Sequence, residues 1–189
     1  ESKKDPLVTV YITNHNYGKY INKAIRSVID QSLREFELII IDDGSTDGSS
    51  MIINKYKNHK KIKIIYQKNK GLTISNNLAL RLSRGKYFIR LDADDWLEPS
   101  ALKIMSDYLE KNTKFGLVFS DYYEVDEKGN ILNLVRRHNF KNVKLLDKPA
   151  HGACTMIRKE CLINIGGYNE KFDRQDGYYI WIEFIQRFK

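Results

Sequence analysis

The chain has 189 residues, of which 42% are hydrophobic and 30% are charged, a balance that predicts a globular core and excludes a largely disordered chain. The length suits one sizeable α/β domain, so we assign residues 1–189 to a single domain. The net charge is +8, and no apolar run in the sequence approaches the ~20 residues of a membrane-spanning helix. Two cysteines are too few for a disulfide framework, which favours the reduced thiols of a cytoplasmic protein.

Hydrophobic periodicity predicts four strand–helix repeats between residues 7 and 111. Apolar runs predict strands at 7–13, 36–42, 61–67 and 86–92. Helices are predicted at about 18–31, from a cap at Ser45 or Asp47 to about Lys57, over Ile74–Leu82 with Gly85 as C-cap, and at 99–111. Such alternation is typical of right-handed βαβ units, and it predicts a mostly parallel sheet with helices on both faces.

The sequence is less regular after residue 115. The stretch "GLVFSDYYEVDEKGNILN" predicts a strand, a turn at "EKGN" and a second strand, and "HGACTMIRK" predicts another strand. A short helix is predicted to end at Gly166 and Gly167. A final helix is predicted from one apolar face, formed by Trp181, Phe184, Ile185 and Phe188. Because the sequence lacks an initial Met and stops inside this helix, we expect the chain to be part of a longer protein.

Much of the positive charge lies in a lysine-rich stretch at residues 55–70, "KYKNHKKIKIIYQKNK". The favoured interpretation is a solvated face. Contact with an anionic membrane surface comes second, and nucleic-acid binding comes last because no nucleic-acid-binding motif accompanies the charge. We therefore expect no nucleic-acid partner, and a peripheral contact with the inner face of the cell membrane is the main alternative to a solvated face.

Polar residues follow each predicted parallel strand, at the end where open α/β sheets bind their ligands. They are Thr13, Asn14, His15 and Asn16 after the first strand, Asp42 and Asp43 after the second, Asn69, Lys70 and Gly71 after the third, and Asp92, Asp94 and Asp95 after the fourth. A single polar turn is ordinary. Four sets at one edge of a sheet indicate a binding site.

The stretch "FIRLDADDW" places three carboxylates within four residues, directly after a buried strand. Like charges at this spacing raise each other's pKa, which favours a cation between them. Mg²⁺ and Mn²⁺ prefer oxygen ligands and usually keep water or phosphate in their shell. Asp92 and Asp94 are therefore predicted to share such an ion with a ligand diphosphate. The alternative is a capping cluster for the next helix, a role that suffices for Asp95.

Dinucleotide-binding and P-loop motifs, a nucleophile elbow and zinc-type Cys/His spacing are absent from the sequence. Four stretches instead resemble family 2 glycosyltransferases of the GT-A fold, in the family's order: "VTVYITNHNYGKYINKAIRSVIDQSLREFELIIIDDGSTDGS", "NKGLTISNNLALRLSRGKYFIRLDADDWLEP", "GACTMIRKECLINIGGYNEKF" and "RQDGYYIW". The resemblance covers about residues 6–185, and the combination of "DDGSTDGS" with "LDADD" is its specific part. It implies an inverting transferase that uses a nucleotide-diphospho-sugar, most often a UDP-sugar, and Mn²⁺ or Mg²⁺. We expect a nucleotide-sugar half at about 6–111 and an acceptor half at about 112–189.

The resemblance also implies roles for individual side chains at the predicted sheet edge. Thr13 and His15 are expected to contact the nucleobase and ribose, and Asp43, with Asp42 beside it, is expected to accept the uracil imide hydrogen bond. Asp92 is the first carboxylate of the D-x-D motif and is expected to lie near the ribose and phosphate, whereas Asp94 is the second and is expected to bind the metal. Lys70 is expected to contact phosphate.

Inverting transfer needs one base, and in the resembled family it is the Asp of an "ED" motif before a Trp-containing helix. Here the motif reads "QDGYYIW", so Asp176 is the candidate, with Gln175 in place of Glu. Asp173 is the competitor if the register slips. Asp176 is also a candidate N-cap, a role that is compatible with catalysis. His151 is expected to be structural, and Trp181 is expected to lie in the core or in the acceptor-site wall.

Three rival functions are weighed against this one. Sugar nucleotidyltransferases share a related fold, but they normally carry a Gly-rich, Arg-containing loop where this chain has "TNHNYGKY". A catalytically silent nucleotide-sugar-binding module conflicts with the intact set of Asp92, Asp94 and Asp176. A basic nucleic-acid binder predicts salt-sensitive affinity for oligonucleotides. The favoured hypothesis is a metal-dependent inverting glycosyltransferase of surface polysaccharide synthesis, acting on a glycan or lipid-linked acceptor.

Overall fold

The computed structural model describes residues 5–137, 154–171 and 176–188, and only the backbone of Asp176 and Tyr178. Within these ranges the strands are β1 Val8–Asn14, β2 Phe36–Asp43, β3 Ile62–Gln67, β4 Tyr87–Arg90, β5 Leu117–Phe119, β6 Tyr122–Val125, β7 Ile131–Val135 and β8 Thr155–Arg158. The helices there are α1 Ile21–Ile29, α2 Ser49–Asn54, α3 Leu72–Leu82, α4 Ala101–Lys111, α5 Lys159–Asn164 and α6 Asp176–Arg187.

The main sheet has six strands in the order β3-β2-β1-β4-β8-β5. Strands β1 to β4 are parallel, and β8 runs antiparallel between β4 and β5. Every residue of β2 is buried, as expected for a parallel strand that is covered on both faces. The predicted mostly parallel α/β sheet is therefore confirmed, with β8 as an antiparallel strand near one edge.

Helices cover both faces of the sheet, as predicted. Alternate residues of β1 enter opposite cores, because successive side chains of a strand point to opposite faces. Val10 and Ile12 pack with buried residues of α1, α2 and α4, whereas Tyr11 packs with those of α3, α5 and α6. The apolar face of α1 is the predicted one, formed by Ile21, Ala24, Ile25 and Val28, all of which are inaccessible to solvent.

The C-terminal region departs from the predicted strand–turn–strand. The first predicted strand is divided between β5 in the main sheet and β6, which pairs with β7 in a separate hairpin. The turn at "EKGN" is confirmed, because the Asp126 carboxylate accepts the N–H groups of Lys128 and Asn130 and Gly129 has a φ of +88°. The ion pair between Lys19 and Glu127 joins the hairpin tip to the start of α1.

Two predicted helix caps are wrong. Helix α3 ends at Leu82 with Ser83 as its C-cap, and Gly85 lies beyond it. A Cβ atom on Gly85 would lie 2.4 Å from the Thr9 backbone nitrogen, so glycine is required here by the close approach of β1. Helix α2 ends at Asn54 rather than Lys57, and its N-cap is Gly48.

The apolar face of α6 also differs from prediction at one position. Phe184 is buried as expected, but Ile185 is 50% exposed, and Ile180 occupies the core instead. Among the described residues, no helix is both long and apolar enough to cross a bilayer.

Candidate active site

The carboxyl ends of β1 to β4 bring the predicted polar residues to one edge of the sheet. The parallel register sets Asn14 of β1 beside Asp42 of β2, and Asp43 beside Gln67 of β3. Thr13 is half-buried one residue before the end of β1. Because β4 is also parallel to β1, the residues that follow all four strands lie at the edge where open α/β sheets bind ligands.

The Asp42 carboxylate connects the loops that follow β1 and β2. Asp42 is buried, and its Oδ1 accepts a hydrogen bond of 3.0 Å from the Asn14 amide and another from the Ser45 hydroxyl. The backbone N–H of Asn16 donates to Ser45 Oγ at 3.0 Å. This side chain therefore holds the loop geometry, in the position beside Asp43 that the sequence predicted.

Asp47 makes a second connection between these loops. Its carboxylate accepts hydrogen bonds from the Gly18 N–H at 2.7 Å and from the N–H and hydroxyl of Ser49. The Ser49 hydroxyl, followed by the Gly18 N–H, holds the pKa of Asp47 below its ordinary value. Neither predicted cap occupies the N-cap position of α2, which is Gly48, but the Asp47 carboxylate still binds the first helical N–H, whereas Ser45 bonds to Asp42.

The Asp43 carboxylate is buried and accepts three hydrogen bonds. They come from the Gln67 amide at 2.6 Å and from the backbone N–H groups of Lys70 and Gly71, each at 2.9 Å. Asp43 thus fixes the turn from β3 into α3. Lys70 contributes its backbone to this turn, and its side chain is exposed at the sheet edge.

His15 lies above Asp43 and exposes one ring nitrogen as an acceptor. Nδ1 is 2.9 Å from the Asp43 carbonyl oxygen, so Nδ1 carries the proton and Nε2 accepts. The Asn69 amide nitrogen is 3.2 Å from Nε2. The histidine, its neighbouring amides and Asp43 thus form a continuous polar surface across three strand ends.

The "LDADD" turn places two carboxylates differently. Arg90 is 5% exposed, and its Nε lies 2.9 Å from Oδ1 of Asp92, which is 25% exposed. Ala93 is buried, while Asp94 is exposed. The buried Arg90 guanidinium offsets the negative charge of Asp92, and the Asp94 carboxylate is exposed to water. The fold therefore tolerates the carboxylate cluster.

The donor set at this turn fits a hard divalent ion that is shared with a ligand. Across residues 5–137, 154–171 and 176–188, no group of three His, Cys, Asp or Glu side chains forms a metal site. Asp92 and Asp94 offer oxygen donors, and Mg²⁺ or Mn²⁺ commonly completes its shell with water and phosphate oxygens. The composition of the turn therefore agrees with an ion whose remaining ligands come from the substrate.

Sequence reasoning missed Gln31, which holds the segment after this turn. The Gln31 amide donates to the carbonyl oxygens of Ser27 and Glu98, and its Oε1 accepts the N–H of Leu102. A signal was available, because Gln31 follows Val28 by three residues and so continues the apolar face of α1 with a polar group. The roles of Arg90 and Gln67 were also missed.

Residue Asp176 begins α6, which is where the sequence placed the catalytic base before a Trp-containing helix. Trp181 of this helix lies with its ring centroid 5.6 Å from that of Phe119, in agreement with a role in packing or in a site wall. His151, Asp173 and Gln175 lie outside the described residues.

Cys154 lies next to the "LDADD" turn, and its N–H donates a hydrogen bond to the carbonyl oxygen of Arg90 in β4. Burial, reinforced by the negative charge of Asp95, raises the pKa of its thiol to about 11. Both cysteines are free thiols, as predicted.

Comparison with known proteins gives the same family as the sequence motifs. The profile of "Glycosyl transferase family 2" matches residues 9–166. The chain is 39% identical over 132 residues to a chondroitin synthase of Escherichia coli, covering 69% of this chain and 19% of that protein. It is 34% identical over 188 residues to an uncharacterised glycosyltransferase of Methanocaldococcus jannaschii, covering 95% of this chain and 65% of that protein.

Solved structures support the fold. The S. aureus TarS 1–349 structure superimposes with a TM-score of 0.77 at 22% identity, over 93% of this chain and 54% of that one. A Pyrobaculum calidifontis mannosyltransferase superimposes with a TM-score of 0.75 at 20% identity, over 99% of this chain and 54% of that one. The profile match extends across most of the chain, from β1 to the end of α5, and the predicted GT-A fold is confirmed, so the chain belongs to glycosyl transferase family 2.

Proposed function

We propose that this chain is the catalytic domain of a metal-dependent inverting glycosyltransferase that moves a sugar from a nucleotide-diphospho-sugar to an acceptor hydroxyl. The observation that carries the proposal is one edge of the sheet, at which Asp42 and Asp43 end β2 and Asp92 and Asp94 follow β4. The family and the fold support glycosyl transfer. The chain spans only 19% and 65% of two relatives, so the activity of the whole protein is part of the proposal.

The donor is proposed to be a UDP-sugar, bound across the ends of β1 to β4. Structures of TarS carry UDP and UDP-GlcNAc, and the Pyrobaculum mannosyltransferase structure carries GDP-Man and Mn²⁺. Thr13, His15 and Asp43 would contact the base and ribose, and Lys70 would contact phosphate. Asp43 retains capacity for this role, because an ionised carboxylate has about four acceptor sites and three are in use.

A bound Mn²⁺ or Mg²⁺ would be held by Asp94 with Asp92 and would offset charge on the departing diphosphate. Arg90 would keep Asp92 oriented through their ion pair. Asp94 is exposed and forms no ion pair with any residue that the structure describes, so the ion would be the main cation beside its carboxylate.

The proposed base is Asp176. Its carboxylate would take the proton from the acceptor hydroxyl as that oxygen attacks the anomeric carbon, on the face opposite the diphosphate. The new C–O bond forms as the bond to the diphosphate breaks, which inverts the anomeric centre. The position of Asp176 at the start of α6 supports this assignment.

The acceptor is proposed to be a glycan or a lipid-linked glycan in surface polysaccharide synthesis, as the similarity to a chondroitin synthase suggests. Exposed lysines in the stretch 55–70, among them Lys57, Lys60 and Lys63, would suit a peripheral contact at the inner face of the membrane. Lys61 is engaged otherwise, since its Nζ donates to the Arg34 carbonyl oxygen. The chain is proposed to act in the cytoplasm without a nucleic-acid partner.

Calorimetric titration with UDP, GDP and CDP, each with and without Mn²⁺, tests the proposal. We expect one nucleotide to bind, to require Mn²⁺, and to lose its measurable affinity in Asp94→Ala. The matched control is Asp107→Ala, which removes an exposed carboxylate of α4 that pairs with Lys103. Failure of every nucleotide to bind, or unchanged Mn²⁺-dependent affinity in Asp94→Ala, would overturn the donor and metal assignments.

Turnover separates the enzyme from a silent binding module. The purified chain is incubated with the UDP-sugar that binds and with bacterial lipid extracts as acceptors, and released UDP is measured. Release that requires both Mn²⁺ and acceptor supports the enzyme. Tight binding without release in any extract supports the module.

A further inference from the structure

Helix α3 reaches from the nucleotide half of the molecule to the segment that leads into α6. At its N-terminal end, the N–H of Gly71 binds the Asp43 carboxylate. Six residues later, and therefore about 9 Å along the axis, Asn77 faces the segment that follows α5. Helix α3 and its N-cap thus contact both Asp43, which is proposed to bind the nucleobase, and the stretch before Asp176, which is proposed to be the catalytic base.

The side chain of Asn77 binds both the backbone N–H and the backbone carbonyl oxygen of Tyr168. Its Oδ1 accepts the Tyr168 N–H at 2.9 Å, and its Nδ2 donates to the Tyr168 carbonyl oxygen at 2.8 Å. The same Nδ2 donates to Glu170 Oε1 at 2.7 Å. An asparagine amide matches a backbone N–H and C=O pair in this way because it has a donor and an acceptor side by side.

The backbone around Tyr168 is shaped for this contact. Gly167 has a φ of +77°, and a Cβ atom there would lie 2.9 Å from Asn77 Oδ1. The Tyr168 hydroxyl is 3.1 Å from that of Tyr11, which lies in the centre of the sheet on β1. Both the backbone and the ring of Tyr168 are therefore attached to the nucleotide half.

This attachment limits where α6 can begin. Five Cα–Cα steps separate Lys171 from Asp176, and such a link spans at most about 18 Å. Helix α6 also buries Ile180 and Phe184 in the core cluster that contains Tyr168. The start of α6 is thus constrained from one side by its own packing and from the other by the contact at Asn77.

From these contacts we infer that Asn77 is a positioning residue that anchors the segment bearing Asp176 to the nucleotide half of the site. The inference rests on the proposed function in so far as Asp176 is the base. The hydrogen bonds of the Asn77 side chain to described residues go to Tyr168 and Glu170, so its proposed role is indirect. By holding Tyr168 and Glu170 it would limit how far the start of α6 can move from the donor site.

The test uses Asn77→Leu, which keeps a similar volume and removes the donor and acceptor, and Asn77→Asp, which keeps only an acceptor. Hydrogen exchange is followed by mass spectrometry in peptides covering 166–188 and 36–67. We expect both variants to exchange at least tenfold faster in 166–188 and within twofold of wild type in 36–67. The matched control is Asn112→Ala, which removes a solvent-exposed hydrogen bond from the Asn112 amide to the Tyr108 carbonyl oxygen.

Two functional readouts separate positioning from a general loss of structure. We expect Mn²⁺-dependent UDP affinity to stay within threefold of wild type while UDP-sugar turnover falls at least tenfold, with KM for the donor unchanged. Tyr168→Phe, which removes the hydroxyl contact but keeps the backbone bonds, should lie between wild type and Asn77→Leu in both exchange and turnover.

Exchange in 166–188 that matches wild type overturns the inference, and so does faster exchange across the whole chain. Loss of UDP affinity in proportion to turnover also overturns it, because Asn77 would then act on donor binding. Failure of wild type to bind any nucleotide overturns the proposed function instead, and the exchange experiment still decides whether Asn77 anchors the segment.

Discussion

The loops at the ends of β1 to β4 and the hairpin β6–β7 are held to the rest of the molecule in different ways. At the ends of β1 to β4, buried carboxylates bind backbone N–H groups of neighbouring loops, as Asp43 does with Lys70 and Gly71. In the C-terminal region, the hairpin β6–β7 is joined to α1 by the exposed ion pair Lys19–Glu127. Several of its apolar side chains are exposed, among them Ile131 at 64% and Leu132 at 68%.

The two kinds of contact differ in strength, so the sheet edge is held more firmly than the hairpin β6–β7. Buried, charge-assisted hydrogen bonds are among the stronger ones, whereas exposed ion pairs contribute little. The loops at the ends of β1 to β4 are thus held in one arrangement, as the proposed binding of a nucleotide-sugar donor would require. The C-terminal region can vary its surface without disturbing that arrangement, provided that a few contacts such as Asn77–Tyr168 persist.

The strongest test of this division is Asp176→Asn, which should abolish chemistry without affecting the donor. Loss of a general base typically lowers turnover by about 10²–10⁴-fold. We expect that loss in steady-state UDP release, with calorimetric UDP affinity within about threefold of wild type because Asp43 and Asp94 are intact. Asp173→Asn is the matched control and should retain turnover. The opposite pattern in the two variants would transfer the role of base to Asp173.

The converse test is Asp43→Ala, which should weaken the donor site. The change removes the Asp43 acceptor from the Lys70 N–H, and a buried donor left unsatisfied costs about 1–3 kcal/mol. The Gln67 amide and the Gly71 N–H also lose Asp43 but keep Ser75 Oγ and Asn69 Oδ1 as acceptors. We expect UDP affinity, measured by calorimetry, to fall at least tenfold and the melting temperature to drop.

Asp126→Ala is the control for Asp43→Ala, because Asp126 likewise accepts several hydrogen bonds, but in the exposed hairpin turn. UDP affinity should be unchanged in this variant. A comparable loss of affinity in both variants would contradict the division between the two regions.

Alanine substitutions at Gly85 and Gly166 compare how well the two regions tolerate an added Cβ atom. In Gly85→Ala the new Cβ would meet the Thr9 nitrogen at 2.4 Å, so β1 must shift, at a cost of about 1–3 kcal/mol or more. At Gly166 no atom of the described residues, its chain neighbours aside, lies within 4 Å of the added Cβ, and the φ of +90° opposes alanine by about 1–2 kcal/mol. Urea unfolding should therefore show the greater loss for Gly85→Ala, and the reverse order would contradict our account of Gly85.

The smallest expected effect at neutral pH is on the stability contributed by Cys154, which lies where the two regions meet, next to the "LDADD" turn. Burial raises the pKa of its thiol from 9.0 to about 11, so the folded state favours the neutral form. The resulting stability is complete below about pH 9 and is lost as pH rises towards 11, by on the order of 1–3 kcal/mol. Urea unfolding at pH 8 and pH 10.5 should show this loss in wild type relative to Cys154→Ala. An equal pH dependence in both proteins would exclude the buried thiol as its source.

Much of the nucleotide half could be predicted from the sequence. Its strands are uninterrupted apolar runs, and the parallel arrangement places everything that follows them at one edge, which is how Asp43 and Asp94 were found. The predicted roles of these residues in donor and metal binding remain predictions. Gly85 was misassigned as a cap because the reason for glycine lies in a contact with Thr9, 76 residues away in sequence.

The same limit explains the missed residues. Asn77 and Tyr168 are 91 residues apart in sequence, and nothing in the local pattern of either one identifies the other. Strand β8 could be predicted as a strand, but its place between β4 and β5 depends on pairing across the chain. In the final helix, Ile180 and Ile185 are equally apolar, and only the direction from which the core approaches distinguishes them.

The position of β3 at one edge of the main sheet gives the lysine-rich stretch a consequence for self-association. An edge strand offers its backbone to any other extended chain, and a lysine on it makes such pairing electrostatically unfavourable between two identical copies. Lys63 is exposed as the second residue of β3, and Lys60 and Lys68 are exposed just before and just after the strand. The positive charge would therefore keep the protein from forming edge-to-edge aggregates at high concentration, whatever else it binds.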